Sequence, residues 1–147
     1  MKTTDITVAR TIPAPAAEVF DVWIDASSPG GPWFGAERVI LNAVVDGLFY
    51  FAVKDGAKRW AHYGRFLRVE RPRLVEYTWM SEATKGLETV VSVAFDARDG
   101  ETDVTLRHTG VPDDEFGRQH QDGWGWILSA LAERFGSKAA PAASSAK

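Results

Sequence analysis

Three histidines are the side chains of this sequence that titrate unaided near neutral pH: His62, His108 and His120. Three imidazoles that meet across a cavity can act as general acids or bases, or can bind a metal ion. Their spacing argues against a metal, because no two lie four residues apart in a helical segment and neither His-Glu-x-x-His nor His-x-His occurs. Each can equally be a satisfied histidine of the core or its rim, so the sequence leaves their role open.

Nucleophilic and cofactor chemistry find little support in the sequence. The chain has no cysteine, which excludes a disulfide framework, a cysteine nucleophile and a thiolate metal site. No Gly-x-Ser-x-Gly sequence is present, and the clustered glycines at 30–31 and 123–125 fit neither a phosphate-binding loop nor a dinucleotide-binding pattern. We therefore expect no metal and no cofactor, and we lean towards a protein that is not an enzyme.

The composition is that of an ordinary single-domain protein. The chain has 147 residues, of which 45% are hydrophobic and 12% aromatic, and its formal net charge is −3. The charge and the lack of a basic run argue against nucleic acid as a partner. No run of about 18 apolar residues occurs, so we expect no membrane span. Without a signal-like segment near Met1, we expect a cytoplasmic protein.

The elements that must position the histidines follow from the hydrophobic spacing. A first strand over 6–12 leads through two prolines into a helix from Ala16, which the stretch rich in Ser, Pro and Gly at 27–32 ends. Trp33 and Phe34 then stand on a loop or a short helix. Short apolar runs with turn residues between them predict six further strands in one antiparallel meander. These are 38–44, 48–53, 59–69, 74–80, 88–95 and 102–109.

A long C-terminal helix is predicted after the sheet. Asp113 or Asp114 can cap its first turn, where a carboxylate is favoured by the helix dipole. One apolar face continues for about five turns. This face consists of Phe116, His120, Trp124, Ile127, Leu128, Leu131 and Phe135. We expect the helix to end at Gly136, giving a single domain over 1–136 and a disordered tail rich in Ala, Ser and Pro over 137–147.

Two glycines inside this helix need an explanation. Gly123 and Gly125 each cost about 1 kcal/mol relative to Ala in a helix interior. A kink or a close contact with the sheet is one interpretation. The other is that the missing side chains leave room for a ligand beside Trp124.

Alternation along the strands assigns the face of the sheet that the long helix covers. His62 and His108 fall on this covered face. Tyr63, Leu67 and Val69 fall in the outward register although they are apolar, so we expect a β-bulge near Gly64.

The covered face is rich in large rings, which can fill a core or line a cavity. Trp60, Tyr77, Trp79 and Trp124 each carry a hydrogen-bond donor that needs a partner once buried. A cavity with a few converging polar groups meets that need, so we expect one between the sheet and the last helix. Its predicted walls are Trp33, Phe49, Phe51, Trp60, Tyr77, Trp79, Val93, Trp124 and Leu128.

Several segments in this order resemble the START-like (SRPBCC, birch-pollen-allergen-like) superfamily. They are Arg10 to Phe20, Trp33-Phe34-Gly35, Asp46 to Phe49, Tyr63 to Phe66, Arg71 to Val75 with Thr78-Trp79, and Gly123-Trp124. Within that superfamily the chain is most similar to the homologues of the activator of the heat-shock protein ATPase, over about Ile6 to Phe135.

The resemblance implies an α+β helix-grip fold. In this fold a curved antiparallel sheet wraps around a long C-terminal helix and leaves a cavity between them. The implied element order is β-α-β6-α, with a short helix or loop after the first helix.

Three functions stay open, because proteins of this fold do different things. The first hypothesis is the binding of a small hydrophobic molecule, aromatic or lipid-like, by a monomer or a weak homodimer. The second is a small-molecule cyclase or hydrolase that uses a pocket histidine as general acid or base. The third is a chaperone-associated module that stimulates a heat-shock protein ATPase.

Overall fold

The computed structural model describes residues 2–139, and its elements follow the order expected from the sequence. They are β1 (Thr3–Ile12), α1 (Ala16–Trp23), β2 (Glu37–Leu41), β3 (Leu48–Asp55), β4 (Lys58–Glu70), β5 (Leu74–Ser81), a short 3₁₀ helix (Glu82–Thr84), β6 (Thr89–Arg98), β7 (Glu101–Pro112) and α2 (Glu115–Ala139).

The strands form one antiparallel sheet in the order β1-β7-β6-β5-β4-β3-β2. Each strand from β2 to β6 pairs with the next one in the chain, as a meander requires, and β1 adds to the far side of β7. The sheet curves around α2, which packs most closely on β1 and β7. This confirms the predicted α+β helix-grip fold.

Helix α1 and the loop after it are fixed by large buried rings. Phe20 and Trp23 of α1 are fully buried, and both pack edge-on against Phe95 of β6. In the loop after α1, the indole N–H of Trp33 donates to the backbone carbonyl of Trp23 at 2.6 Å. This contact buries Trp33 although its neighbour Phe34 remains exposed.

Helix α2 begins after Asp114, one of the two caps that the sequence predicts. The Asp114 carboxylate accepts the backbone N–H of Phe116 at 2.9 Å and that of Gly117 at 3.4 Å. The helix runs to Ala139, past the predicted end at Gly136, and residues 140–147 of the predicted tail lie outside the described part of the chain. Within 2–139, no helix is long and apolar enough to cross a membrane.

The predicted β-bulge lies three residues further along than expected. The pairing of β4 with β5 shifts between Phe66 and Arg68, so Leu67 is the extra residue and not Gly64. Tyr63 therefore keeps its outward, exposed position. Gly64 has a different role, because a Cβ there would stand 2.1 Å from the carbonyl oxygen of Thr78.

Candidate functional site

A cavity of about 590 Å³ lies between α2 and the part of the sheet formed by β3, β4 and β5. Its position follows from the packing of α2. The helix rests on β1 and β7, at one end of the strand order, and stands off the three strands towards the other end. Pro32 and Trp33, from the loop after α1, complete the wall.

Six of the nine predicted wall residues line this cavity, and all six carry large rings. The predicted residues that line it are Trp33, Phe51, Trp60, Tyr77, Trp79 and Trp124. Phe49, Val93 and Leu128 are buried but do not line it. Phe49 lies behind the wall, with its ring centroid 5.1 Å from that of Trp33 and 5.5 Å from that of Tyr77.

Other lining residues are absent from the predicted walls. Some come from the apolar face of α2, and others stand on the hairpin between β3 and β4 or at the rim. They are Pro32, Val53, Lys54, Asp55, Ala83, Phe116, Gln119, Gly123, Trp126 and Ile127, besides two of the histidines. Trp126 falls outside the helical apolar face, so spacing assigns it to solvent, and it is indeed 77% exposed. The sequence feature that could have indicated its place at the cavity is the Trp124-Gly125-Trp126 run, in which a second large ring stands two residues from Trp124.

Gly123 opens the wall of α2 beside Trp124. A Cβ built on Gly123 or Gly125 would meet no atom within 4 Å. The interpretation as a close contact with the sheet is therefore wrong for both glycines. Gly123 faces the cavity, and Gly125 faces a separate groove beside β1.

His108 is fully buried and holds the indole of Trp124. The Trp124 N–H donates to His108 Nδ1 at 3.0 Å, so Nδ1 is the unprotonated nitrogen. The ring hydrogen is then on Nε2, which donates to Thr89 Oγ1 at 2.7 Å, and the Thr89 hydroxyl donates to the Trp79 carbonyl at 2.5 Å. Burial, with a smaller effect of His120, lowers the pKa of His108 to about 3. His108 is thus a neutral structural residue, and it does not line the cavity.

His120 lines the cavity from α2 with both ring nitrogens engaged. Its Nδ1 lies 2.8 Å from the carbonyl oxygen of Phe116 and therefore donates to it. Its Nε2 accepts the indole N–H of Trp79 at 3.4 Å. Burial lowers the pKa of His120, and the Phe116 carbonyl and the Asp114 carboxylate partly oppose this. A neutral His120 thus orients Trp79, and it can accept a proton at Nε2 only if the bond from Trp79 breaks.

His62 lines the cavity from β4 and keeps one ring nitrogen free. The ring stacks on Phe51 at 4.6 Å and lies 4.9 Å from Trp79. Its Nδ1 is buried without a hydrogen-bond partner among the described residues. Burial, followed by the neighbouring His120, lowers the pKa of His62 to about 4, while an interaction with the Trp60 backbone weakly opposes this. The imidazole is therefore neutral at pH 7, and its Nδ1 is enclosed within the wall.

Charged side chains stand only at the rim of the lining. Lys54 and Asp55 are exposed there. Among residues 2–139, no group of three or more His, Cys, Asp or Glu is arranged to hold a metal ion. The buried wall is therefore neutral and largely aromatic.

Solved structures with the same fold come from several sources. An HSP90 activator from Plasmodium falciparum is 17% identical, with a TM-score of 0.73, and the match covers 90% of this chain and 96% of that chain. The Aha1 dimer from Colwellia psychrerythraea is 14% identical, with a TM-score of 0.68 and the same coverages. DynU16, from the dynemicin biosynthetic locus, is 19% identical with a TM-score of 0.72, and the match covers 88% of this chain but 46% of that chain. At these identities the similarity establishes the fold alone.

No curated protein matches the chain by sequence. A family model does match, over residues 13–136, which include every residue that lines the cavity. It describes the family to which the sequence motifs pointed within the START-like superfamily. The chain belongs to the family of Activator of Hsp90 ATPase homolog 1-like proteins.

Proposed function

We propose that this protein binds a small, largely apolar molecule, aromatic or lipid-like, in the cavity between the sheet and α2. The observation that carries the proposal is the wall itself, in which eight large aromatic side chains line a space without buried charge. The volume of about 590 Å³ lies within the range of about 300–1,000 Å³ that is usual for small-molecule sites.

Three of the wall rings are held in place by hydrogen bonds to other residues of the protein. The indole N–H groups of Trp33, Trp79 and Trp124 donate to the Trp23 carbonyl, to His120 and to His108. Because these donors are satisfied, the three rings offer a ligand mainly their apolar faces. A preorganised apolar wall also reduces the entropy lost on binding.

The rim gives an apolar ligand a way in. Trp126 is 77% exposed and Val53 is 43% exposed, and both border the cavity. A ligand that covers them removes apolar surface from water, which contributes to affinity at about 25 cal/mol per Å².

The proposal is tested with N-phenyl-1-naphthylamine, a neutral dye whose fluorescence rises in an apolar site. We expect the wild-type protein to bind it, and Gly123→Leu to weaken binding by at least about tenfold, because the new side chain enters the cavity. Gly125→Leu is the matched control, since it makes the same change two residues away on the side of the helix that faces the β1 groove.

Two results would contradict the proposal. One is a wild-type protein that leaves the dye fluorescence unchanged at high protein concentration. The other is equal weakening by both leucine substitutions, because the effect would then come from the helix and not from the cavity. Native mass spectrometry of protein purified from its host then identifies the natural occupant.

Family membership favours a second candidate function, a chaperone-associated module. This function would act through the protein surface. It predicts that the chain co-purifies with an ATPase chaperone and raises its ATPase rate, and that Gly123→Leu leaves both effects unchanged.

The neutral imidazole of His62 in the cavity wall favours a third candidate, a cyclase or hydrolase with His62 as general base. If the occupant is turned over, His62→Ala should abolish product formation and leave the affinity within about twofold. A rate that is unchanged in this variant would remove the candidate.

A further inference from the structure

We infer that two copies of this chain form a symmetric dimer through the groove between β1 and α2. In this dimer Trp126 of each copy packs over Gly125 of the other, and Arg10 of each copy pairs with Asp122 of the other. The inference does not depend on what the cavity binds.

The groove lies at the edge of the sheet. It has a volume of about 450 Å³ and runs between α2 and residues 8–10 of β1. Because β1 is the last strand in the sheet order, no described strand pairs with its other side, and the groove opens to solvent there. A second molecule can therefore reach the groove without displacing any element.

The groove combines a protruding ring with a space where a side chain is missing. Trp126 is 77% exposed, more than any other large hydrophobic residue of 2–139. Gly125 also lines the groove, and a Cβ built on it would meet no atom within 4 Å. A ring and a space on one surface let two identical surfaces fit together. Tryptophan is also enriched among the residues that contribute most binding energy at interfaces.

The groove carries opposite charges at its two ends. The guanidinium of Arg10 donates to the neutral hydroxyl of Ser129 at 3.0 Å. Asp122 lies seven residues before Ser129, two turns along the same face of α2 and about 10 Å away along its axis. Neither Arg10 nor Asp122 forms an ion pair with another residue of the described part of the chain. Both charges are therefore available to a partner.

The positions of these groups match a two-fold axis, which favours a second copy over an unrelated partner. The midpoint between Asp122 and Ser129 falls between Gly125 and Trp126. A two-fold axis through this point, perpendicular to α2, places the Arg10 end of one groove against the Asp122 end of the other. Two ion pairs then form, and both Trp126 rings come to the centre of the contact. An unrelated partner would have to supply every complementary group itself.

Charge reversal tests the ion pairs, with sedimentation equilibrium as the measurement. We expect a monomer–dimer equilibrium for the wild type. Arg10→Asp and Asp122→Arg should each raise the dimer dissociation constant by at least about tenfold, because like charges then meet twice. The double variant Arg10→Asp/Asp122→Arg should bring the constant back to within about threefold of the wild-type value. Arg118→Asp is the matched control, since it makes the same charge change on an exposed residue of α2 outside the groove.

Leucine substitutions test the ring contact. Gly125→Leu should make the protein monomeric, because the new side chain fills the space that Trp126 of the other copy enters. Gly123→Leu makes the same change on the side of α2 that faces the cavity, and it should leave the dimer intact.

Three results would overturn the inference. The first is a wild-type protein that stays monomeric at millimolar concentration. The second is a dimer that Gly125→Leu and the single charge reversals leave unchanged, because the copies would then meet through another surface. The third is a double variant that dissociates as readily as the single variants, because Arg10 and Asp122 would then not face each other.

Discussion

The indole N–H of Trp124 can only donate, and from this the protonation of His108 follows. Because Trp124 donates to it, Nδ1 of His108 is unprotonated and the ring hydrogen is on Nε2. That hydrogen is donated to Thr89, whose hydroxyl donates in turn to the Trp79 carbonyl. His120 is engaged at both nitrogens in a similar way. At the scale of single residues, the three histidines that look equivalent in the sequence therefore have different roles, and His62 alone among them keeps a free Nδ1.

We expect His108→Phe to lower the free energy of unfolding by about 1–3 kcal/mol, because it leaves the buried Trp124 N–H without an acceptor. His62→Phe is the matched control, since no hydrogen bond at Nδ1 is lost, and it should cost less. Urea unfolding followed by tryptophan fluorescence measures both. An unchanged stability of His108→Phe would contradict the structural role.

At the scale of elements, three of the four glycines of α2, Gly117, Gly123 and Gly125, have two different causes. The Gly117 backbone comes so close to the end of β7 that a Cβ would stand 2.3 Å from the carbonyl oxygen of Pro112. Gly123 and Gly125 face open space instead. The first glycine is required by packing. The other two give up helix stability, and at Gly123 the space left open belongs to the cavity.

Alanine substitutions distinguish these causes. Gly123→Ala and Gly125→Ala should each raise the free energy of unfolding by about 0.5–1 kcal/mol, because alanine is the better helix former and its methyl group meets nothing. Gly117→Ala should lower it, since the Pro112 carbonyl must move. Thermal unfolding by circular dichroism ranks the three variants. A loss of stability at Gly123 would mean that the cavity wall is closed there.

At the scale of the whole molecule, the three histidines form one cluster around the indole of Trp79. The Trp79 ring lies 4.9 Å from His62 and 6.1 Å from His108, and it donates to His120. Burial is the main cause that lowers the pKa of each histidine, and His120 contributes to the lowering at the other two. At mildly acidic pH these histidines are therefore protonated in the unfolded chain but still neutral in the folded protein.

The sign of the pH dependence follows from this difference. In the unfolded chain each histidine titrates near pH 6.5, whereas His62 and His108 in the folded protein titrate at about 4 and about 3. Stability is complete above pH 6.5 and falls as the pH drops towards 4, by about 1–2 kcal/mol per histidine between pH 7 and 5. Carboxylates with a lowered pKa, such as Asp21 and Asp114, add their loss only below about pH 4.

Urea unfolding at pH 7.5 and pH 5.0 measures this dependence. His108→Phe should reduce the difference in unfolding free energy between the two pH values, because one of the depressed groups is gone. Equal stability of the wild type at both pH values would contradict the burial of neutral histidines.

Local patterns in the sequence were sufficient for the elements and for the face on which most site residues lie. Strand alternation and helical spacing depend on neighbours along the chain, so the seven strands, the two helices and a cap at Asp113 or Asp114 could be predicted. The same patterns assigned Phe51, Tyr77 and Trp79 to the covered face.

Only the tertiary structure decided which of these residues reach a cavity and what each histidine does. Strand alternation predicts the side of the sheet to which a side chain points. Whether that side chain reaches a cavity depends on the distance between the sheet and α2, and the packing of α2 on β1 and β7 decides that distance. Phe49 therefore lies behind the wall although it shares its face with Phe51. The role of His108 depended on an acceptor at Thr89 and a donor at Trp124, which are 19 and 16 residues away. Contacts of this kind follow from how the layers pack, and no spacing within one element can express them.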